Sequence, residues 1–324
     1  MDKKKVTQHY RKLLSLEQEL SKAVVGQHTV MRGLIRGLLA NGHVFLEGVP
    51  GVAKTLIIRT LAQATGCKFS RIQFTVDLLP TDITGITGYQ QGKGFYVVKG
   101  PIFANFVIAD EINRAPAKTQ SALLEAMQEK QVTIGKETFR LPEPFFVMAT
   151  QNPIESGGTY PLPEAQIDRF LFKVNMGYPK PEVEKDILER NISLGKFEDF
   201  RVKAVLTQRK ILDLQKFVKE IYVKDAIKEY IVEIVHATRN AQEYGLKLGK
   251  YIEWGASPRA SISLFIAAKA EALLSNSAYV TPQHVKDIAH DVMRHRIILN
   301  YEGQAEQVKS DDIITEVLAK IPVP

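Results

Sequence analysis

"GVPGVAKT", residues 48–55, decides how the rest of the chain is read. It comes within one residue of the phosphate-binding pattern G-x-x-x-x-G-K-[ST]. Gly48, Lys54 and Thr55 stand where that pattern needs them, and Ala53 takes the place of its second glycine. The surroundings agree. "HVFLEG" (43–48) reads as a short apolar strand, and "TLIIRTLAQATG" (55–66) as a helix ending at Gly66. A strand, a glycine-rich turn and a helix start aim backbone N–H groups and a positive dipole end at one anion. Lys54 adds a charge for the β- and γ-phosphates, and Thr55 a hydroxyl for Mg2+. Val49, Pro50, Gly51, Val52 and Leu56 complete the candidate nucleotide-binding stretch. Ala53 reads as already part of the helix, where alanine is the best former, so its methyl is expected to be tolerated. The alternative is an ordinary Gly-Pro turn before a helix.

Working outward, apolar runs alternate with helical patterns. "FSRIQFT" (69–75), "NFVIADE" (105–111), "PFFVMATQN" (144–152) and "RFLFKVNM" (169–176) read as strands, and "KTQSALLEAMQE" (118–129) as a helix. Strands apolar on both faces predict a parallel sheet covered on both sides. Two helices precede it, separated by a break at "VVGQ" (24–27). After Gly177 the strand signals stop. "YPKPEVEKD" (178–186) reads as a linker, and helices alone follow, with starts at Thr207, Asp225, Ser257-Pro258 and Thr281-Pro282. The expected fold is α/β: a P-loop NTPase αβα sandwich on a five-stranded parallel sheet, plus a C-terminal all-helical lid. The expected division is 1–178, a linker over 179–206, and 207–324.

Two further strand tips, one strand start and one helix start carry candidate chemistry. Asp110, ending a buried strand, is placed to hold Mg2+ with Thr55. Its neighbour Glu111 is placed to act as base on a water in line with the γ-phosphate. Asn152 ends a strand expected between those of Gly48 and Asp110, within reach of the γ-phosphate or the attacking water. Arg169, in "PEAQIDRFLFK" (163–173), suits an arginine finger reaching a neighbouring subunit's γ-phosphate. A salt bridge to Asp168 or packing on Phe170 explains it equally well. Arg259, in "GASPRAS" (255–261), lies in the first turn of a helix, where the dipole disfavours a cation. An anion close by is expected there, making Arg259 a candidate phosphate sensor.

Together these stretches resemble an AAA+ ATPase of the MoxR family, over nearly the whole chain. "VVGQ", with Val25, Gly26 and Gln27, is similar to the segment that lines the adenine. "EGVPGVAKT" resembles the family's form of the phosphate loop, Ala53 included. "FVIADEINRAP", "FFVMATQNPIE", "PLPEAQIDRFLFK" and "GASPRA" resemble its metal-and-base motif, sensor 1, finger region and sensor 2. Residues 77–103, read as a β-hairpin around Gly92-Lys93-Gly94 and spanning about 83–100, are similar to the helix-2 insert shared with magnesium chelatase ATPase subunits and MCM helicases. The resemblance implies a chaperone-like ATPase using ATP and Mg2+, assembled with itself as a ring, a hexamer. It would activate a client protein, often one with a von Willebrand factor A domain. A chelatase-type motor subunit or a nucleic-acid-dependent ATPase is the alternative.

Composition narrows the remaining classes. Apolar residues make up 45% and charged residues 24% of the 324, ordinary for a globular protein with a sizeable core. No apolar run approaches a membrane span, and the basic start lacks the apolar segment of a secretory signal, so a cytoplasmic protein is expected. Net charge is +7, and +6 of it falls in residues 1–178, with 21 Lys+Arg against 15 Asp+Glu. That suits an anionic ligand but not a nucleic-acid face. Cys67 is the only cysteine and is expected to be a buried structural thiol. The seven histidines show no zinc-ligand spacing.

Overall fold

The computed structural model describes residues 3–92, 94–153, 158–191 and 196–324. Helix α1 (Lys3–Ala23) buries Val6, Leu13, Leu16 and Leu20 along one stripe, at helix-face spacing. After the break at 24–27, α2 (His28–Leu39) packs on the sheet with Leu34, Ile35 and Leu38 buried. The chain then runs through β1 (Val44–Gly48), the glycine loop, α3 (Lys54–Ala64) and β2 (Phe69–Gln73). A short α4 (Pro80–Thr84) leads into an antiparallel hairpin, β3 (Gly85–Gln90) with β4 (Gly94–Lys99). The hairpin lies where the sequence reads one, and Lys93 lies outside the described residues. Next come β5 (Phe106–Asp110), α5 (Ala117–Glu129), and a second hairpin, β6 (Gln131–Ile134) with β7 (Glu137–Arg140). Strand β8 (Phe146–Gln151), a single turn α6 (Glu164–Ile167) and β9 (Phe172–Met176) complete the α/β part.

The main sheet is five-stranded, in the order β2-β5-β8-β1-β9, and every pairing is parallel. Successive residues of a strand face opposite sides, and the two cores follow that alternation. Val44, Leu46, Phe106, Ile108, Phe146, Met148, Phe172 and Val174 join one cluster, under α1, α2 and α3. Phe45, Val107, Ala109, Val147 and Ala149 join the other, under Leu123, Leu124 and Met127 of α5. Burying each large side chain contributes about 1.5–3 kcal/mol, so a one-residue slip of any strand would exchange both cores at once. Register therefore fixes which tips meet at the carboxyl edge: Glu47 pairs with Gln151 just before Gly48 and Asn152, and Ala109 pairs with Ala149 just before Asp110 and Thr150.

The rest is mainly helical: α7 (Pro181–Asn191), a 3-10 turn at Phe197–Phe200, α8 (Gln208–Glu220), α9 (Asp225–Arg239), α10 (Pro258–Leu274), α11 (Pro282–Met293), α12 (Tyr301–Ala305) and α13 (Ser310–Lys320). Two expectations need correction. The stretch read as a linker contains α7, because Pro181 is its first residue, where a missing N–H costs nothing, and Glu182 and Glu184 favour the same end. The helical part also contains a small antiparallel ladder, β10 (Ile252–Trp254) with β11 (Ile298–Leu299). Thr207 and Thr281 cap their helices through the side chain, whereas Ser257 stands at the cap position of α10 without such a bond. Cys67 is partly buried, which pushes its thiol pKa up. No helix among the described residues is long and apolar enough to cross a membrane.

Candidate active site

The phosphate loop joins β1 to α3. Gly48 is needed for room: a Cβ there would lie 2.9 Å from the Met176 carbonyl. Gly51 is needed for conformation, with φ at 80° and nothing near a would-be Cβ. Ala53 departs from the helix-start expectation. It is the N-cap of α3, with φ 63° and ψ 30°, in the left-handed region. That backbone costs an L-residue about 1–2 kcal/mol, which is why the general pattern has glycine there. No side chain caps α3 and its first turn holds no acid. Its leading N–H groups therefore suit an anion. Lys54 Nζ donates to the Gly48 carbonyl, lying back along the loop.

Two acids meet the loop from β5. Asp110 accepts from Arg71 Nη2 at 2.7 Å and from Thr150 Oγ1 at 2.7 Å. Glu111 leaves the strand with φ 56°, also left-handed. Its backbone N–H donates to the same Thr150 hydroxyl at 3.0 Å. Its Oε2 accepts from Gln73 Nε2 at 2.8 Å and from Arg114 Nη1 at 3.1 Å. One buried hydroxyl on β8 thus spans both acids, and the edge strand β2 supplies a second partner to each.

Pro50, Lys54, Thr55, Asp110, Glu111 and Asn152 line one cavity. An adjoining apolar cavity is lined by Val24, Val25, Gln27, Ile187 and Phe200. Gly51, Val52, Ala53 and Leu56 line both. A polar cavity with a cation and two acids, opening beside an apolar one, suits a nucleotide's phosphates and base. Gly26, between two residues lining the apolar cavity, packs on Val183 of α7. Val49 packs against the core. Ile154 and Glu155, which end the sensor 1 stretch, lie outside the described residues.

The two candidate arginines stand elsewhere. Arg169 lies in a separate cleft with Glu125, Gln128, Glu129 and Gln166, and Nη1 donates to Gln128 Oε1 of α5. The anion that position 259 calls for is a protein carboxylate: Arg259 Nη1 donates to Asp168 Oδ2 at 2.9 Å. Asp168 also accepts from Arg296 Nε at 2.7 Å.

Residues 43–172 match the family described as "ATPase family associated with various cellular activities (AAA)", and residues 249–317 match "AAA lid domain". "Chaperone MoxR1" of Mycobacterium tuberculosis is 48% identical over 94% of this chain and 81% of its own length. "Protein MoxR" of Methylorubrum extorquens is 30% identical over 95% and 94%. A crystal structure of a protein from Cytophaga hutchinsonii superposes with a TM-score of 0.93 at 46% identity, covering 99% of this chain and 97% of that one. The chain belongs to the MoxR family of AAA+ ATPases.

Within this MoxR-type ATPase, sequence reasoning passes over Arg71, Gln73 and Thr150. Their signal is alternation. Gln73 pairs in register with Asp110, so Arg71 and Gln73 share a face of β2, and a polar residue at position 150 breaks the apolar run of β8. Arg296 leaves no local signal, because apart from the Val292 carbonyl its partners lie 125 to 128 residues earlier.

Proposed function

We propose that this MoxR-type ATPase hydrolyses ATP to ADP and phosphate with Mg2+, in a ring of its own copies, and uses the cycle to remodel a client protein. The observation that carries the reading is the single cavity shared by Lys54, Thr55, Asp110, Glu111 and Asn152. Backbone N–H groups of the loop and Lys54 hold the β- and γ-phosphates. Thr55 and Asp110 would hold Mg2+, which offsets charge growing on the phosphate oxygens. Arg71 and Thr150 fix the Asp110 carboxylate. Gln73 and Arg114 hold Glu111 Oε2, leaving Oε1 to take the proton of the attacking water. Asn152 orients that water or the γ-phosphate. The adenine sits by Val25, Gly26 and Gln27. Arg169, in its separate cleft, serves the neighbouring subunit. Arg259, held by Asp168, is the candidate phosphate sensor, in cis or in trans. The working division is a nucleotide module over 1–178 and a lid over 207–324, with 179–206 between them.

Glu111→Gln is expected to bind ATP with near-normal affinity and to turn over at least about a hundredfold more slowly. Normal turnover would remove Glu111 from its role. A client carrying a von Willebrand factor A domain is the partner class proposed by resemblance. Capture on the Glu111→Gln chain loaded with ATP tests it, and release of the same protein by the active enzyme is the supporting result.

A further inference from the structure

Arg296 follows α11 with its side chain 2% exposed. Besides Asp168 Oδ1 at 2.7 Å, its donors reach the Phe170 carbonyl at 2.8 Å, the Asp168 and Leu171 carbonyls at 3.3 Å each, and the Val292 carbonyl. Four of these five acceptors belong to residues 168–171. A buried guanidinium persists only where its charge is paired and its N–H groups are satisfied. Its planar fork also dictates where the acceptors must stand. His295 Nε2, next to it, makes a further contact with the Phe170 carbonyl at 3.2 Å. Arg259 closes the other side of Asp168 from the first turn of α10. The backbone on both sides of Arg169 is therefore held by the C-terminal helices. The Arg169 side chain leaves in another direction, toward Gln128 of α5. Neither Asp168 nor Arg296 lines either cavity of its own chain.

We infer that Asp168 and Arg296 form a positioning joint, through which the C-terminal helices set where Arg169 is presented to the nucleotide of the neighbouring subunit. The inference rests on the reading of Arg169 as acting in trans. Any displacement of α10 and α11 moves the donors that hold 168–171, and the finger with them. The position of one subunit's lid then sets turnover in the next subunit, without either joint residue touching a nucleotide.

The test uses the assembled full-length chain. Asp168→Asn removes the charge that pairs with Arg296, and Arg296→Lys keeps a charge but lacks the fork. For both, kcat is expected to fall at least about tenfold, as for a misplaced reacting group, with ATP affinity and KM within about twofold of wild type. Each variant is then mixed with Glu111→Gln subunits, whose own sites are dead but whose fingers are intact. Turnover in the mixture is expected to exceed that of either variant alone, because intact fingers now serve intact sites. A defect confined to a subunit's own site would gain nothing from mixing. The same mixture with Arg169→Ala is the control. Rescue of Arg169→Ala but not of the joint variants overturns the joint and leaves the trans finger standing. Rescue of neither removes both. Wild-type kcat in Asp168→Asn and Arg296→Lys also overturns the joint. If Asp168→Asn does not fold, by its melting temperature, Arg296→Lys carries the test alone.

Discussion

At residue 53 two effects of a methyl group oppose each other. Left-handed backbone costs an alanine about 1–2 kcal/mol. Replacing it with glycine loosens the unfolded chain, which costs about 0.4–1 kcal/mol. The first term is the larger, so Ala53→Gly is expected to raise unfolding stability by about 0.5–1 kcal/mol in a urea titration. Ala53→Val, with a branched Cβ at φ 63°, is expected to lose more than about 1 kcal/mol. A glycine variant no more stable than wild type would show that the loop does not carry this strain. Glu111 is the second non-glycine residue of left-handed backbone at the cavity, and its conformation has a visible restraint. The Thr150 hydroxyl holds its amide, and Gln73 and Arg114 hold its carboxylate. Strain of this kind persists where surrounding bonds over-determine it.

At the scale of elements, β8 keeps the acids of β5 in place through Thr150. Its side chain is fully buried, donating to Asp110 Oδ1 and accepting from the Glu111 amide. Thr150→Val keeps the shape and removes both bonds. A buried N–H left unpaired costs about 1–3 kcal/mol, and, on the proposal that Asp110 holds Mg2+, loss of the group that orients it costs about 10- to 100-fold in activity. Thr150→Val is therefore expected to lower both the urea midpoint and kcat, and Thr150→Ser to recover most of each. Unchanged kcat in the valine variant would mean that β5 alone fixes Asp110 and Glu111. The elements most legible in the sequence were those whose burial is continuous. Strands β1, β5 and β8 are buried along almost their whole length, and their tips could be ordered from the sequence, whereas β9 alternates, with Lys173 and Asn175 between buried Phe172, Val174 and Met176. The hairpin β6–β7 was missed although Val132 and Ile134 alternate with polar residues up to Gly135, which takes a positive φ. The ladder β10–β11, of three and two residues, is too short for any period to show. Helix α7 was hidden by Pro179 and Pro181, which also mark linkers. The pairing of Asp168 with Arg259 and Arg296 spans 91 and 128 positions, a separation that no local pattern encodes.

At the scale of the whole molecule, two buried histidines tie distant parts together, and the bonds of His43 require a neutral ring. His43 begins β1. Its Nδ1 accepts from the Val147 amide of β8 at 3.1 Å, and Nε2 then donates to the Met127 carbonyl of α5 at 3.2 Å. His295 joins the segment after α11 to the Phe170 carbonyl. Burial lowers the pKa of both, that of His43 from 6.5 to about 4. A proton on His43 Nδ1 would face an N–H group and break the bond between neighbouring strands. Between pH 6.5 and pH 4 the unfolded chain binds a proton that the folded chain refuses. Stability contributed by His43 is therefore complete above pH 6.5, is lost as pH falls, and stops changing below pH 4. At pH 5 the loss from His43 alone is about 2 kcal/mol, and His295 acts with the same sign. Urea midpoints at pH 7 and pH 5 measure it. His43→Gln, whose amide can still accept from Val147, is expected to be less stable at pH 7 and to lose less between the two pH values. An undiminished pH dependence in that variant would assign the acid sensitivity to other groups, His295 first among them.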